Sequence, residues 1–211
     1  MTILVKIIGF LIYIGKEHMR IFLTVFIIFL SVTLLSSDGS IRNIEKVFPE
    51  RIGSLKLVEC SDFEKKTPGL GYGISYRTPG MSADIYAYDF RMKDIPEGAE
   101  SEMMKKHFEQ VAAEIYQIEK AGKYRNVKPA GTVEGRKLSG IGFLYRGFTL
   151  EREGAAMESR IYLTGYKGKF FKIRITYEAS SELNLSGEAD AFADKIFEIL
   201  GKKPENTGGN Q

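Results

Sequence analysis

Tryptophan is absent from the 211-residue chain, cysteine occurs once and histidine twice. A single thiol, Cys60, cannot close a disulfide within the chain, so the fold must rest on its core. Unpaired cysteine is among the most buried residue types, and Cys60 in an apolar strand reads as a small buried hydrophobe. His18 falls in the N-terminal leader, and His107 stands alone beside a helix stripe. With no second histidine or usable thiol, His107 has no partner for a transition-metal site or a His-dependent triad. No cofactor and no metal are expected, and no residue is nominated as catalytic. An excess of one charge is missing too. The formal charge is +3, but Lys6, Lys16 and Arg20 against Glu17 place a net +2 in residues 1–37. The remaining +1 gives no bulk attraction to nucleic acid or anionic lipid.

Long apolar runs are confined to the N-terminus. Ile21–Leu35 carries no charge, follows Met19-Arg20 and precedes the polar run Ser36–Ser40. A short positive region, an apolar core and a polar exit read as a secretory signal peptide. The small-x-small cleavage signal is poor, which keeps an uncleaved membrane anchor as the alternative. The run is short of the roughly 20 residues that span a bilayer comfortably. Met19 competes with Met1 as the start, because Ile3–Ile14 is an apolar run a signal peptide does not need. The chain then reads as leader 1–37, lead-in segment 38–54, one globular α+β domain 55–200 and a flexible polar tail 201–211. Pro49, Pro68, Pro79, Pro96, Pro129 and Pro204 all fall between the expected elements, as proline's missing N–H requires.

What is present is alternation. Ala155–Tyr166 and Lys169–Glu178 read as two strands about a Lys167-Gly168 turn, where Gly168 suits the positive φ of a short hairpin. In the second strand Phe171, Ile173, Ile175 and Tyr177 share one face, and Phe170, Lys172, Arg174 and Thr176 the other. Leu55–Phe63, Tyr72–Arg77, Ala83–Phe90, Thr132–Leu138 and Ile141–Glu151 read as further strands, with Tyr124–Gly131 a loop. Met104, Phe108, Val111, Ile115 and Ile118 step by three and four, which predicts a helix over Glu100–Ala121. Ser186 is the expected N-cap of a last helix through Phe192, Ile196 and Leu200. Strands such as Ile141–Glu151 carry bulky apolar groups on both faces, so both need cover. The expected fold is an antiparallel sheet of about six to seven strands sandwiched between two helices, an α/β/α arrangement in the α+β class. A two-layer arrangement is the alternative.

The run Gly168–Ile175, a polar loop and the helix through Phe192, Ile196 and Leu200 resemble the Mog1/PsbP-like α/β/α sandwich over about Leu55–Leu200. That resemblance implies a small non-catalytic protein that binds partners or assists larger assemblies. It carries over no functional residue.

The remaining chemistry is thin. Gly69-x-Gly71-x-Gly73 shares its glycines with phosphate loops, but its spacing is wrong and it precedes a strand where an anion site needs a helix N-terminus. Asp84 and Asp89, and Glu151, Glu153 and Glu158, read as surface charge at strand ends. Tyr86, Tyr88, Tyr145, Tyr162 and Tyr166 are the candidate binding surface, since tyrosine joins a large apolar body to a polar tip. Packing beneath a helix is the competing explanation. The expected protein is an exported, non-catalytic envelope accessory or interaction module whose partner is another protein of the envelope or exterior. It would meet membrane only through an uncleaved leader. The alternative is a small-molecule or lipid carrier with an aromatic-lined cleft between sheet and helix.

Overall fold

The computed structural model describes residues 47–180 and 182–201, so the expectations for leader 1–37 and for the tail beyond Gly201 lie outside the described residues. Eight strands form one antiparallel sheet: β1 (Arg51–Ile52), β2 (Leu55–Asp62), β3 (Tyr72–Thr78), β4 (Met81–Tyr88), β5 (Arg125–Leu138), β6 (Ile141–Arg152), β7 (Ala155–Tyr166) and β8 (Lys169–Glu178). Helix α1 (Glu102–Lys120) lies between β4 and β5 in sequence, and α2 (Leu185–Gly201) follows β8. The strand order is β1-β2-β3-β4-β8-β7-β6-β5. It consists of two hairpin meanders joined at a β4–β8 seam.

The second meander is built from three two-residue turns, Ser139-Gly140, Glu153-Gly154 and Lys167-Gly168. All six residues have positive φ, the type I′ geometry whose twist matches that of the flanking strands. The first element of the core follows from alternation. Ile173, Ile175 and Tyr177 of β8 lie with Ile74, Tyr76, Ala83, Ile85, Phe143 and Tyr162 beneath Ala189, Phe192, Ile196 and Leu200 of α2. On the opposite face Phe170, Ile161, Leu163, Leu144, Phe148 and Leu150 pack under Met104, Phe108, Val111 and Ile115 of α1. The helices therefore cover opposite faces, and Ile173 and Ile175 are fully buried on the α2 side.

Four details depart from the sequence reading. The sheet has eight strands because β1 lies in the lead-in segment 38–54. Two residues are too few to show a period, and pairing of Arg51 with Lys56 and Ile52 with Leu55 makes the strand. β5 begins at Arg125, so Tyr124–Gly131 is mostly strand and Pro129 sits inside it. Pro129 is tolerated because β5 is a sheet edge, where one side of the strand needs no donor. β4 stops at Tyr88, and Phe90 leaves the sheet at a φ of 50°. α2 starts at Leu185, and Asn184, not Ser186, caps it: Asn184 Oδ1 accepts from the Gly187 N–H at 3.1 Å. Lys172, a charged residue that alternation assigns only to a face, is buried. Its stem lies under α1 and its ammonium reaches Glu114 at 2.9 Å, so a charged residue on a sheet face stays satisfied.

Candidate binding face

α1 has to carry the chain from β4, at the middle of the sheet, to β5 at its edge. It therefore lies over the second meander, and the core beneath it includes no residue of β1, β2 or β3. No helix among the described residues covers the α1-side face of β2 and β3, and α1 reaches only Tyr86 and Tyr88 of β4. The side chains there are polar as a result of alternation: Lys56, Glu59 and Ser61 of β2, Ser75 and Arg77 of β3, and Ser82, Asp84 and Tyr86 of β4. On β8, Arg174 continues the patch across the seam opposite Asp84, while Lys172, opposite Tyr86, and Thr176 are buried beside it. Cross-strand neighbours sit about 5 Å apart on one face, so these groups form one surface.

Its charges are partly matched. Asp84 pairs with Arg77 Nη2 at 2.7 Å and accepts from Ser75 Oγ at 2.7 Å. Lys172, besides its pair with Glu114, lies 4.8 Å from the Tyr86 ring centroid, a cation–π distance. Arg174 is held differently. Its Nε donates to Ser159 Oγ and its Nη2 to Tyr124 Oη, both at 3.3 Å, and its guanidinium lies 5.4 Å from the Tyr124 ring centroid. No carboxylate among the described residues lies in ion-pair reach of Arg174. Ser159 in turn shares a 2.9 Å hydrogen bond with Thr176. Burial, followed by the charge of Asp84 and opposed by Arg174, pushes the Tyr86 hydroxyl well above the usual phenol value, so Tyr86 stays a neutral donor. The arrangement offers a half-buried guanidinium, two tyrosines and a row of hydroxyls, which suits hydrogen-bonded recognition.

The five tyrosines named from sequence do not form one surface. Tyr86 alone reaches the uncovered face, at its border, half-buried against the core under α1. Tyr88 is buried under α1, where its O–H donates to His107 Nε2 at 2.9 Å. Tyr145 and Tyr162 lie on the α2 side with ring centroids 5.1 Å apart. Tyr166 closes the end of α2 by donating to the Leu200 carbonyl at 2.6 Å. The acidic groups have other occupations. Asp89 pairs with Lys169 at 2.6 Å and Glu151 accepts from Asn126 at 2.8 Å. Glu158 accepts from Tyr177, whose hydroxyl also receives Arg160 Nη2 at 2.7 Å. Arg160 continues to Asp190 at 2.5 Å and Ser186 at 2.7 Å, tying α2 to the sheet. The glycine motif does cradle an anion, its own: the Gly69 and Gly71 N–H groups donate to the Glu64 carboxylate at 2.9 Å. A side chain at Gly71 would meet the Ala87 carbonyl, with its Cβ only 1.9 Å away.

Arg77, Tyr124 and Arg174 were missed by the sequence reading. The alternation of Lys172, Arg174 and Thr176 was visible, but not that Ser82, Asp84 and Tyr86 adjoin them.

No protein-family model matches the chain, and no curated protein matches it. Among the solved structures similar over part of it are the following two. PA94 of Pseudomonas aeruginosa, a protein of unknown function, is 16% identical with a TM-score of 0.38, covering 61% of this chain and 78% of that one. LpqN of Mycobacterium tuberculosis, involved in cell envelope biogenesis, is 14% identical with a TM-score of 0.34, covering 65% and 74%. Neither is named as a Mog1/PsbP-like protein, and at these values neither bears on what this chain does. No helix among the described residues is long and apolar enough to cross a membrane.

Proposed function

We propose that the chain is a non-catalytic interaction module of the cell envelope or exterior, binding another protein through the uncovered polar sheet face. The observation that carries this reading is Arg174, half-buried and held by neutral hydroxyls, beside Tyr86 and Tyr124 at the border between the core under α1 and the polar face of β2 and β3. A guanidinium so placed is pre-oriented for a carboxylate or backbone carbonyl of a partner. Export rests on the charge-free run Ile21–Leu35 alone. The carrier reading has less support. Both helix–sheet interfaces are filled by packed side chains. A cavity of about 270 Å³ between β1 and α2 is lined by Arg51, Glu188 and Lys195 as well as Ile52 and Phe192. It lies just under the 300–1,000 Å³ usual for small-molecule pockets.

The test is photo-crosslinking in the native cell, with the reactive residue placed at Arg77 or Ser82 and, as control, at Asp194 on the exposed side of α2. A discrete protein adduct from the sheet positions, weakened by Arg174→Ala and absent at Asp194, is expected. Equal adducts from all three positions, or none from the sheet, would refute the reading. An adducted chain beginning between Ser36 and Ile41 supports export with cleavage, and a cytoplasmic chain with an intact leader counts against it.

A further inference from the structure

β5 is an edge strand of 14 residues, nearly all exposed. Lys123, Arg125, Lys128, Arg136 and Lys137 stand in or just before it against one carboxylate, Glu134, in a chain whose whole formal charge is +3. Glu134 is already paired with Arg136 at 2.8 Å. Basic residues on an edge are commonly a guard against edge-to-edge pairing, and by themselves they show nothing more. A second observation points to a ligand. Nε of Arg146 is the buried side-chain nitrogen that has no hydrogen-bond partner among the described residues. Arg146 lies on the α1 side of β6, its guanidinium 5.6 Å from the Phe148 ring centroid, and no carboxylate pairs with it.

Arg146 also stands where β5 is irregular. Ala130 pairs with Gly147 and Glu134 with Tyr145, so β5 spends four residue steps on two of β6. The extra residues fall in Gly131–Val133, with Val133 an exposed apolar side chain. Bulges of this kind gather at sheet edges and beside binding sites. A buried donor left unpaired is costly, and a guanidinium is best satisfied by a carboxylate.

We infer that the β5 edge receives an extended acidic segment of a partner protein by strand addition, with one of its carboxylates meeting Arg146 at the bulge. The backbone edge supplies the pairing. Arg125, Lys128 and Arg136 share the α2-side face of β5 through their pairing with Glu151, Thr149 and Phe143, and supply the charge complement. An added strand lies about 9–10 Å from β6, within the combined reach of an arginine and a glutamate side chain. Arg146 and Arg174 lie in one cross-strand row with buried Ile161 between them, but the inference rests on the β5 edge and does not depend on the reading of Arg174.

The probe is a fluorescein-labelled octaglutamate peptide, which presents carboxylates on both faces when extended, titrated against the full chain by anisotropy, with octalysine as control. The acidic peptide is expected to bind, more weakly at high salt, and to slow hydrogen exchange of β5 amides. Arg146→Gln and Lys128→Glu, the latter at an exposed position, should each weaken it about tenfold, the loss of one charge-assisted contact. Lys128→Glu keeps the test valid should Arg146→Gln perturb folding. No binding of the acidic peptide, equal binding of the basic one, or unchanged affinity in both variants overturns the inference. So does dimerisation through β5, or capture of phosphatidylglycerol vesicles without the peptide.

Discussion

At the scale of single residues, His107 shows how a side chain with no catalytic partner can still shape behaviour. Its ring lies 4.1 Å from the Phe170 centroid. Nδ1–H donates to Gln110 Oε1 at 3.2 Å, which leaves Nε2 to accept from Tyr88. Burial holds its pKa below the ordinary histidine value. The Lys172 ammonium lowers it further, against the Gln110 bond and the Glu114 carboxylate, which raise it. A histidine whose folded pKa is depressed binds its proton more readily in the unfolded chain. Stability should therefore fall as pH drops from about 6.5 towards the lowered folded value. Thermal melts across that window should show the slope in the wild type and a flatter profile in His107→Asn. A slope unchanged by the substitution would assign the effect to other groups.

At the scale of elements, the ends of the helices are set by polar side chains that the apolar stripes do not reveal. Ser101 caps α1 by accepting from Met104 N–H at 3.1 Å, and Asn184 does the same for α2. Both candidates for the α2 cap, Asn184 and Ser186, are good cap residues by type. The choice falls on Asn184 because Ser186 is drawn away by Arg160. Asn184→Ala should cost about 1 kcal/mol in urea unfolding. Ser186→Ala should leave the helix terminus intact while loosening the Arg160 contact. Equal losses at both positions would mean that the cap contributes nothing distinctive.

At the scale of the whole molecule, one sheet serves two cores. Phe108 anchors the α1 side and Phe192 the α2 side, each essentially inaccessible to solvent. β8 gives Phe170 to one core and Phe171, Ile173 and Ile175 to the other. Because the layers share their central strands, they should unfold together. Phe108→Ala and Phe192→Ala should each cost about 3–5 kcal/mol and shift one cooperative transition. Two separated transitions in either variant would show that the layers are independent.

The periodicities were legible in the sequence because they are local. A 3.6-residue stripe from Met104 to Ile115 makes a helix, and alternation about Lys167-Gly168 makes a hairpin, whatever the rest of the chain does. Two strands with apolar groups on both faces also called for two covers, which favoured the sandwich over a two-layer arrangement. The sequence could not determine that β4 pairs with β8, since Asp84 and Arg174 are brought together by a register across ninety positions rather than by a turn. That pairing sends α1 from the centre of the sheet to its edge and leaves β2 and β3 uncovered on one side. It separates the five tyrosines between faces, and it assembles the surface around Arg174. The Arg146 site has a more local origin, the register between β5 and β6 across the Ser139-Gly140 hairpin, whose bulge no periodicity announces. Alternation assigns each side chain to one of two faces, but only the tertiary structure decides what covers them.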